Sequence, residues 1–336
     1  MAMAAFEAGR ERARQLFPGV LACAVVAAAA TFLSQHYGAP VMLFALLLGM
    51  AMGFLSGEGP CGPGIEFTAR QVLRWGVALL GLRITAAQVA ALGWEPVLVV
   101  AVSLVLTIGV SMAVAKLMGF NILFGLLSGG ATAICGASAA LALSAALPPH
   151  PLKERATLFT VVGVSALSTA TMVFYPMLAR ALGLDAHLSG VFLGATIHDV
   201  AQVVGAGYGM SREVGDTATL VKLMRVATLL PVILFAVAFT RATGRAGDGR
   251  RPPLLPWFAV GFAALVALNS TGWLHPAVVR AGSGMSGWFL VAAMAGIGMK
   301  TQLRELATVG LRPVALMVGE TVFLAALALA LLRWAA

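Results

Sequence analysis

The stretch Leu98–Ala115 reads LVVAVSLVLTIGVSMAVA and holds no charged residue. A helix rises 1.5 Å per residue, so a run of roughly 20 apolar residues crosses the ~30 Å hydrocarbon core of a bilayer with every backbone hydrogen bond made internally. A strand of an outer-membrane barrel would alternate polar and apolar residues; this run does not, and neither does Val314–Leu332. The rest of the chain is of the same kind. Its 336 residues are 60% hydrophobic and 10% charged, with a mean hydropathy of +0.95, whereas a soluble domain carries roughly a quarter charged residues. Soluble enzyme classes are excluded, and an all-α polytopic membrane protein is expected.

A window of about 19 residues places about eleven spans, near 18–36, 40–56, 66–82, 97–116, 122–147, 154–179, 187–209, 217–241, 254–272, 284–300 and 312–334. The run after Arg10, Arg12 and Arg14 reads as a retained first span rather than a cleaved signal. The net charge of +9 does not indicate a nucleic-acid partner, because no basic run alternates with aromatics. Most basic residues instead fall between spans. With the N-terminus inside, one side collects Arg10, Arg12 and Arg14, Arg70 and Arg74, Lys116, Arg180, the arginines of 241–251, and Lys300, Arg304 and Arg312. A bacterial inner-membrane protein with a cytoplasmic N-terminus is expected, with 243–253 as a cytoplasmic loop. Cys23, Cys61 and Cys135 cannot all pair, so no disulfide framework is expected.

Two internal repeats organise the chain. Ala78–Val97 (ALLGLRITAAQVAALGWEPV) matches Ala295–Val314 (AGIGMKTQLRELATVGLRPV) without a gap, aligning Gly81 with Gly298, Arg83 with Lys300, Gly93 with Gly310 and Pro96 with Pro313. The copies close spans seven apart in the count, so they have opposite orientations, as in secondary transporters that alternate access between two halves. The second repeat sets Gly130–Ser138 (GATAICGAS) against Gly194–Gln202 (GATIHDVAQ). Glycines interrupt both segments, at Gly129, Gly130 and Gly136 and at Gly190, Gly194, Gly205, Gly207 and Gly209. Two broken helices are expected there, although mid-membrane glycine also serves close helix packing. These two segments run parallel on the span count unless one is re-entrant.

The polar residues inside spans form the candidate site. Asp199 stands mid-span, a costly place for a carboxylate without a partner. On a continuous helix Thr196, Asp199 and Gln202 share a face and His198 lies four residues before Gln202, gathering one polar patch; Thr132, Cys135 and Ser138 form the matching row. Asp199 or His198 can exchange a proton near neutral pH, and small hydroxyls and a thiol can hydrogen-bond an anion. The alternative is a structural hydrogen-bond network. Lys222 and Arg225 either snorkel to headgroups or offset negative charge, on a carboxylate or on a substrate. Glu320 reads as a partner for one of those cations or as a second proton carrier. No metal centre, cofactor or covalent catalysis is expected: adjacent His198 and Asp199 point about 100° apart on a helix, and Cys135 has no recognisable base.

The segments Leu79–Arg83, Cys135–Ala139 (CGASA), Gly194–Val203 (GATIHDVAQV) and Lys222–Val226 (KLMRV) resemble the YeiH family of sulfate exporters, over nearly the whole chain. That resemblance implies a core domain of crossing broken helices and a scaffold domain, within the superfamily of cation/proton antiporters and anion transporters. The expected function is a non-enzymatic secondary active transporter of a small anion, sulfate or a sulfonate, coupled to protons. Its core lies around 122–147 and 185–242, the outer spans form the scaffold, and its substrate/ion-binding residues are Asp199, His198, Gln202, Thr196, Thr132, Cys135, Ser138, Lys222 and Arg225. The coupling ion is H⁺ by preference, because His198 adds a second titrating group and no further carboxylate completes a sodium cage. The alternatives are a sodium-coupled symporter of an anion or an organic acid and a non-transporting membrane sensor. A homodimer is one expected assembly. The first repeat predicts that Arg83 and Lys300 lie at opposite membrane faces; a one-sided thiol reagent that labels cysteines placed at both positions would overturn it.

Overall fold

The computed structural model describes residues 2–37, 41–57, 59–148, 152–242, 257–301 and 311–335. All regular structure among them is helical: α1 (Ala2–Tyr37), α2 (Val41–Ala51), α3 (Gly62–Phe67), α4 (Leu73–Leu80), α5 (Ala86–Ala91), α6 (Glu95–Leu117), α7 (Ile122–Ala133), α8 (Ala137–Ala146), α9 (Lys153–Ala181), α10 (Ala186–Thr196), α11 (Val200–Met210), α12 (Arg212–Ala227), α13 (Leu229–Ala242), α14 (Trp257–Ser270), α15 (Pro276–Lys300) and α16 (Leu311–Ala335). Six stretches among the described residues are long and apolar enough to cross a membrane: Arg10–Tyr37, Glu95–Leu117, Lys153–Ala181, Arg212–Thr240, Pro276–Lys300 and Leu311–Trp334. The expected loop 243–253 and residues 302–310 of the second copy of the first repeat lie outside the described residues.

The chain divides into two compact units. The first comprises Met1–Ala87 and Phe258–Gln302. Its helices cross on glycine. At Gly19 and Gly64, α1 and α3 touch backbone to backbone, and at Gly49 and Gly298 α2 and α15 do the same; a Cβ at any of these four meets main-chain atoms of the facing helix. The expected span 66–82 begins earlier and is a continuous helical run from Gly62 to Arg83, with a π-helical turn at Thr68–Val72 and a 3₁₀ turn at Gly81–Arg83. Glu66 near its start pairs with Arg70 at 2.6 Å and with Lys300 at the end of α15. Ser286 of α15 donates to the Gly76 carbonyl at 2.6 Å.

The second unit comprises Gln88–Trp257 and Leu303–Ala336. Local sequence starts its helices where it should. Pro96 opens α6, the Asn121 side chain accepts from Leu123 N at 3.0 Å to cap α7, Asp185 accepts from Leu188 N at 2.8 Å to cap α10, and Ser211 accepts from Val214 N at 3.1 Å to cap α12. α12 packs along both α10 and α11, and α16 packs on α6, α7, α9 and α10. Close packing accounts for most of the glycines in the second repeat: Cβ atoms at Gly190 and Gly194 would strike α12, and one at Gly129 would strike Ser111 of α6.

Two expected spans are not continuous helices. Residues 122–147 leave the helix at Ile134–Gly136 and 187–209 leave it at Ile197–Asp199. The helical rows of Thr132, Cys135 and Ser138 and of Thr196, Asp199 and Gln202 are therefore corrected, because each row crosses a non-helical turn and its members do not share a face. Replacing Gly298 with Val forces α15 away from α2. Overpacking of this kind costs about 1–3 kcal/mol, and the expected outcome is a melting temperature several degrees lower in detergent, against little change for the exposed Gly284→Ala.

Candidate functional site

The second unit brings its two helix interruptions together on one pair of cations. Lys222 and Arg225, on the same face of α12, are 0% and 1% exposed, so neither snorkels. The Lys222 ammonium donates to the carbonyls of Ile134 (2.8 Å), Ile197 (2.9 Å) and His198. Arg225 donates from Nε to Ala133 O (2.8 Å), from Nη1 to Gly194 O (3.2 Å) and Ile197 O (3.0 Å), and from Nη2 to Thr132 O (2.7 Å). These acceptors lie in the last turns of α7 and α10 or in the one or two residues after them, where a helix leaves carbonyls without an internal partner and where its dipole is negative. Two buried cations thus close two helix ends at once. All three Lys222 hydrogens are used in this way, so Lys222 meets helix ends and not a carboxylate.

The following helices, α8 and α11, start from the same place. Gly136 has φ +67°, and a Cβ there would collide with the Asp199 carboxylate. Asp199 is the residue before α11, in extended conformation, and its carboxylate lies against Gly136, next to the start of α8. Its side chain therefore faces the other interrupted segment rather than capping its own. Its backbone N–H donates to Ser168 Oγ of α9 at 3.0 Å. Around the interruptions the chain is buried from Ala131 to Gly136 and from Ser189 to His198, but Ala137, Asp199 and Val200 are partly exposed and Ser138 is exposed. The closed side is the cation side, and the accessible side is the starts of α8 and α11.

The other expected residues separate into roles. His198 is buried, with Nδ1 3.2 Å from Thr132 O and Nε2 3.0 Å from Thr321 Oγ1 of α16. Thr196 hydrogen-bonds within its own helix, to Phe192 O at 2.6 Å. Gln202 is buried and its Oε1 has no hydrogen-bond partner among the described residues. Cys135 is buried in the first turn between helices. Glu320 of α16 accepts on Oε1 from Ser111 and from Ser128 (2.6 Å), and on Oε2 from Thr132 (3.1 Å); no cation pairs with it among the described residues. Thr132 is the node, with its hydroxyl on Glu320 and its carbonyl shared by Arg225 and His198.

Sequence reasoning missed Ser168, Ser111, Ser128, Thr321 and Tyr175, whose hydroxyl donates to Thr321 O at 3.2 Å. No spacing could have found them, since hydroxyls in apolar helices commonly bond their own i−4 carbonyl. Among the described residues no group of His, Cys, Asp and Glu could hold a metal ion. Gly136→Ala combines a left-handed backbone with a clash against Asp199, at about 1–3 kcal/mol or more. Lys222→Met removes the donor from the buried Ile134 and His198 carbonyls, each worth about 1–3 kcal/mol, while Ile197 O keeps Arg225. Both variants should lose more thermal stability than Ser138→Ala, measured by thermal unfolding of the purified protein.

The family model for conserved hypothetical protein 698 matches residues 18–317. A UPF0324 membrane protein of Chlorobaculum tepidum is 50% identical over 330 residues, 98% of this chain and 92% of the relative. The UPF0324 membrane protein TauZ of Paracoccus denitrificans is 54% identical over 312 residues, 92% of each chain, and its counterpart in Paracoccus pantotrophus is 52% identical over 314 residues, 93% of each. A helical chain built for the bilayer, matched over nearly its full length, therefore belongs to the conserved hypothetical protein 698 family of multi-pass UPF0324 membrane proteins.

Proposed function

We propose that this chain is a secondary active transporter of a small anion, working by alternating access with H⁺ as the coupling ion and without covalent chemistry. The observation that carries this reading is the convergence of two interrupted helical segments on Lys222, Arg225 and Asp199. α7 with α8 and α10 with α11 act as two broken spans. Broken spans in transporters place backbone termini at a central site where substrate and ion can be held without a continuous polar pore. Lys222 and Arg225 spend their hydrogens on the closed side, so they contribute positive potential rather than direct contacts. The anion is held on the accessible side, by the N–H groups starting α8 and α11, by the Ser138 hydroxyl and by the Gln202 amide, which can turn to present its N–H₂.

Asp199 occupies the place at the start of α8 that an anion would use. An ionised Asp199 repels the substrate and a protonated one yields to it, so loading a proton and loading an anion go together. This is a physical reason for coupling. The remaining features agree. Lys300 pairs with Glu66 near one end of the Gly62–Arg83 run and Arg83 stands at the other, roughly 25 Å away along a helix, as copies of an inverted repeat require. The YeiH likeness suggests sulfate or a sulfonate as substrate, the inner membrane as location and a cytoplasmic N-terminus.

The test is anion flux into liposomes across imposed proton and sodium gradients. The parent is expected to respond to the proton gradient, and Asp199→Asn, the isosteric neutral form, to lose at least about tenfold of that response. Flux that follows sodium alone would replace H⁺ with Na⁺. Equal flux of parent and Asp199→Asn under every gradient would remove Asp199 from the mechanism, and binding of an anion without any flux would favour a sensor.

A further inference from the structure

Glu320 is a carboxylate in the interior of the second unit that faces only hydroxyls. Its surroundings leave two places for the Ser111 hydrogen. Ser111 Oγ lies 2.7 Å from Gly125 O and also contacts Glu320 Oε1. A serine hydroxyl has one hydrogen. If that hydrogen goes to Gly125 O, the contact between Ser111 Oγ and Oε1 needs a hydrogen of its own, and only the carboxyl can supply it; if it goes to Oε1, the carboxyl is ionised and Gly125 O keeps its place inside α7. A protonated Oε1 then donates to Ser111 Oγ and accepts from Ser128 at 2.6 Å, while Oε2 accepts from Thr132 at 3.1 Å.

A second observation gives the proton a path. A cavity of about 200 Å³ between α6 and α16 is lined by Thr107, Ser111 and Glu320 among aliphatic side chains such as Val110 and Leu316. Thr107 Oγ1 is buried with no hydrogen-bond partner among the described residues. The cavity is mostly aliphatic and reaches Glu320, so a proton reaches the carboxyl when water enters it.

We propose that Glu320 is an exchangeable proton site, with Ser111 as the acceptor of its hydrogen and the α6–α16 cavity as its route to water. The step is a proton transfer between water in the cavity and Oε1; no other bond changes. The titratable and charged groups on the packed elements stand one residue further off. His198, following α10, reaches Thr132 O and Thr321 Oγ1, Tyr175 of α9 reaches Thr321 O, and Arg225 of α12 reaches Thr132 O, none of them the carboxyl itself. Through Thr132 the carboxyl is joined to the end of α7, where both interrupted segments are held. Its use as a coupling site rests on the transport reading, whereas the proton itself does not.

The experiment is therefore spectroscopic and needs no flux: infrared difference spectra of the full chain in bilayers across a pH series, in H₂O and D₂O. The parent is expected to show a carboxylic-acid C=O band that disappears at high pH and shifts in D₂O. The band should be absent in Glu320→Gln and retained in Asp199→Asn. Ser111→Ala, which removes the acceptor, should move its frequency. A band that persists in Glu320→Gln would overturn the proposal, as would carboxylate bands that shift with sodium at constant pH. Should Glu320→Gln fail to fold, an unmoved band in Ser111→Ala would overturn it equally. Transport failing while the band behaves as expected would reject the transport reading and leave the proton site standing.

Discussion

Everything in the second unit is arranged around the donation of Lys222 and Arg225 to carbonyls at two helix ends. A helix that stops inside a low-dielectric interior leaves carbonyls bare, and each bare carbonyl costs on the order of a kcal/mol or more. Burying a lone cation costs more still. Neither α7 and α10 nor the two cations are tenable alone; together each satisfies the other. The unit can then afford helix ends at its centre, and α8 and α11 can begin there. Because α12 lies along both α10 and α11, it carries the cations to the interruption.

Charge bookkeeping around the site follows from that arrangement. The carbonyl side is closed by two cations, and the N–H side meets the Asp199 carboxylate from the neighbouring segment. Each helix end thus faces charge of the favourable sign, as the dipole requires. In the proposed transporter, a site balanced in this way changes occupancy when one charge is neutralised. Asp199, at the partly exposed edge, is the group placed to do so.

Glu320 belongs to a second layer, separated from the cations by Thr132. Three hydroxyls surround it where an ion pair would be the simpler solution, and the two buried cations nearest to it turn their hydrogens elsewhere. A carboxyl hydrogen-bonded only by hydroxyls can carry a proton or release it with small rearrangement, because hydroxyls serve as donor or acceptor by rotation. An arginine in the same place would hold the carboxylate ionised permanently.

Hydropathy and the length of apolar runs determine that this chain is helical and spans a bilayer, because a stretch such as Leu98–Ala115 has one low-energy way to satisfy its backbone in lipid. Sequence also marks the residues of the centre, since Asp199, Lys222 and Arg225 have no reason to stand in apolar stretches unless they meet one another or a ligand. It cannot tell what they meet. The partners of Lys222 and Arg225 are backbone carbonyls, which every residue carries, so no side-chain pattern announces them. The helical rows read at Thr132–Ser138 and Thr196–Gln202 fail for the same reason: a period of three or four holds only while the helix continues, and the interruptions depend on α12 supplying cations from up to about 90 residues away in the chain. Tertiary structure alone places Ser111, Ser128 and Thr132 around Glu320, because a hydroxyl satisfied within its own helix and one turned to a carboxyl on another look alike in sequence.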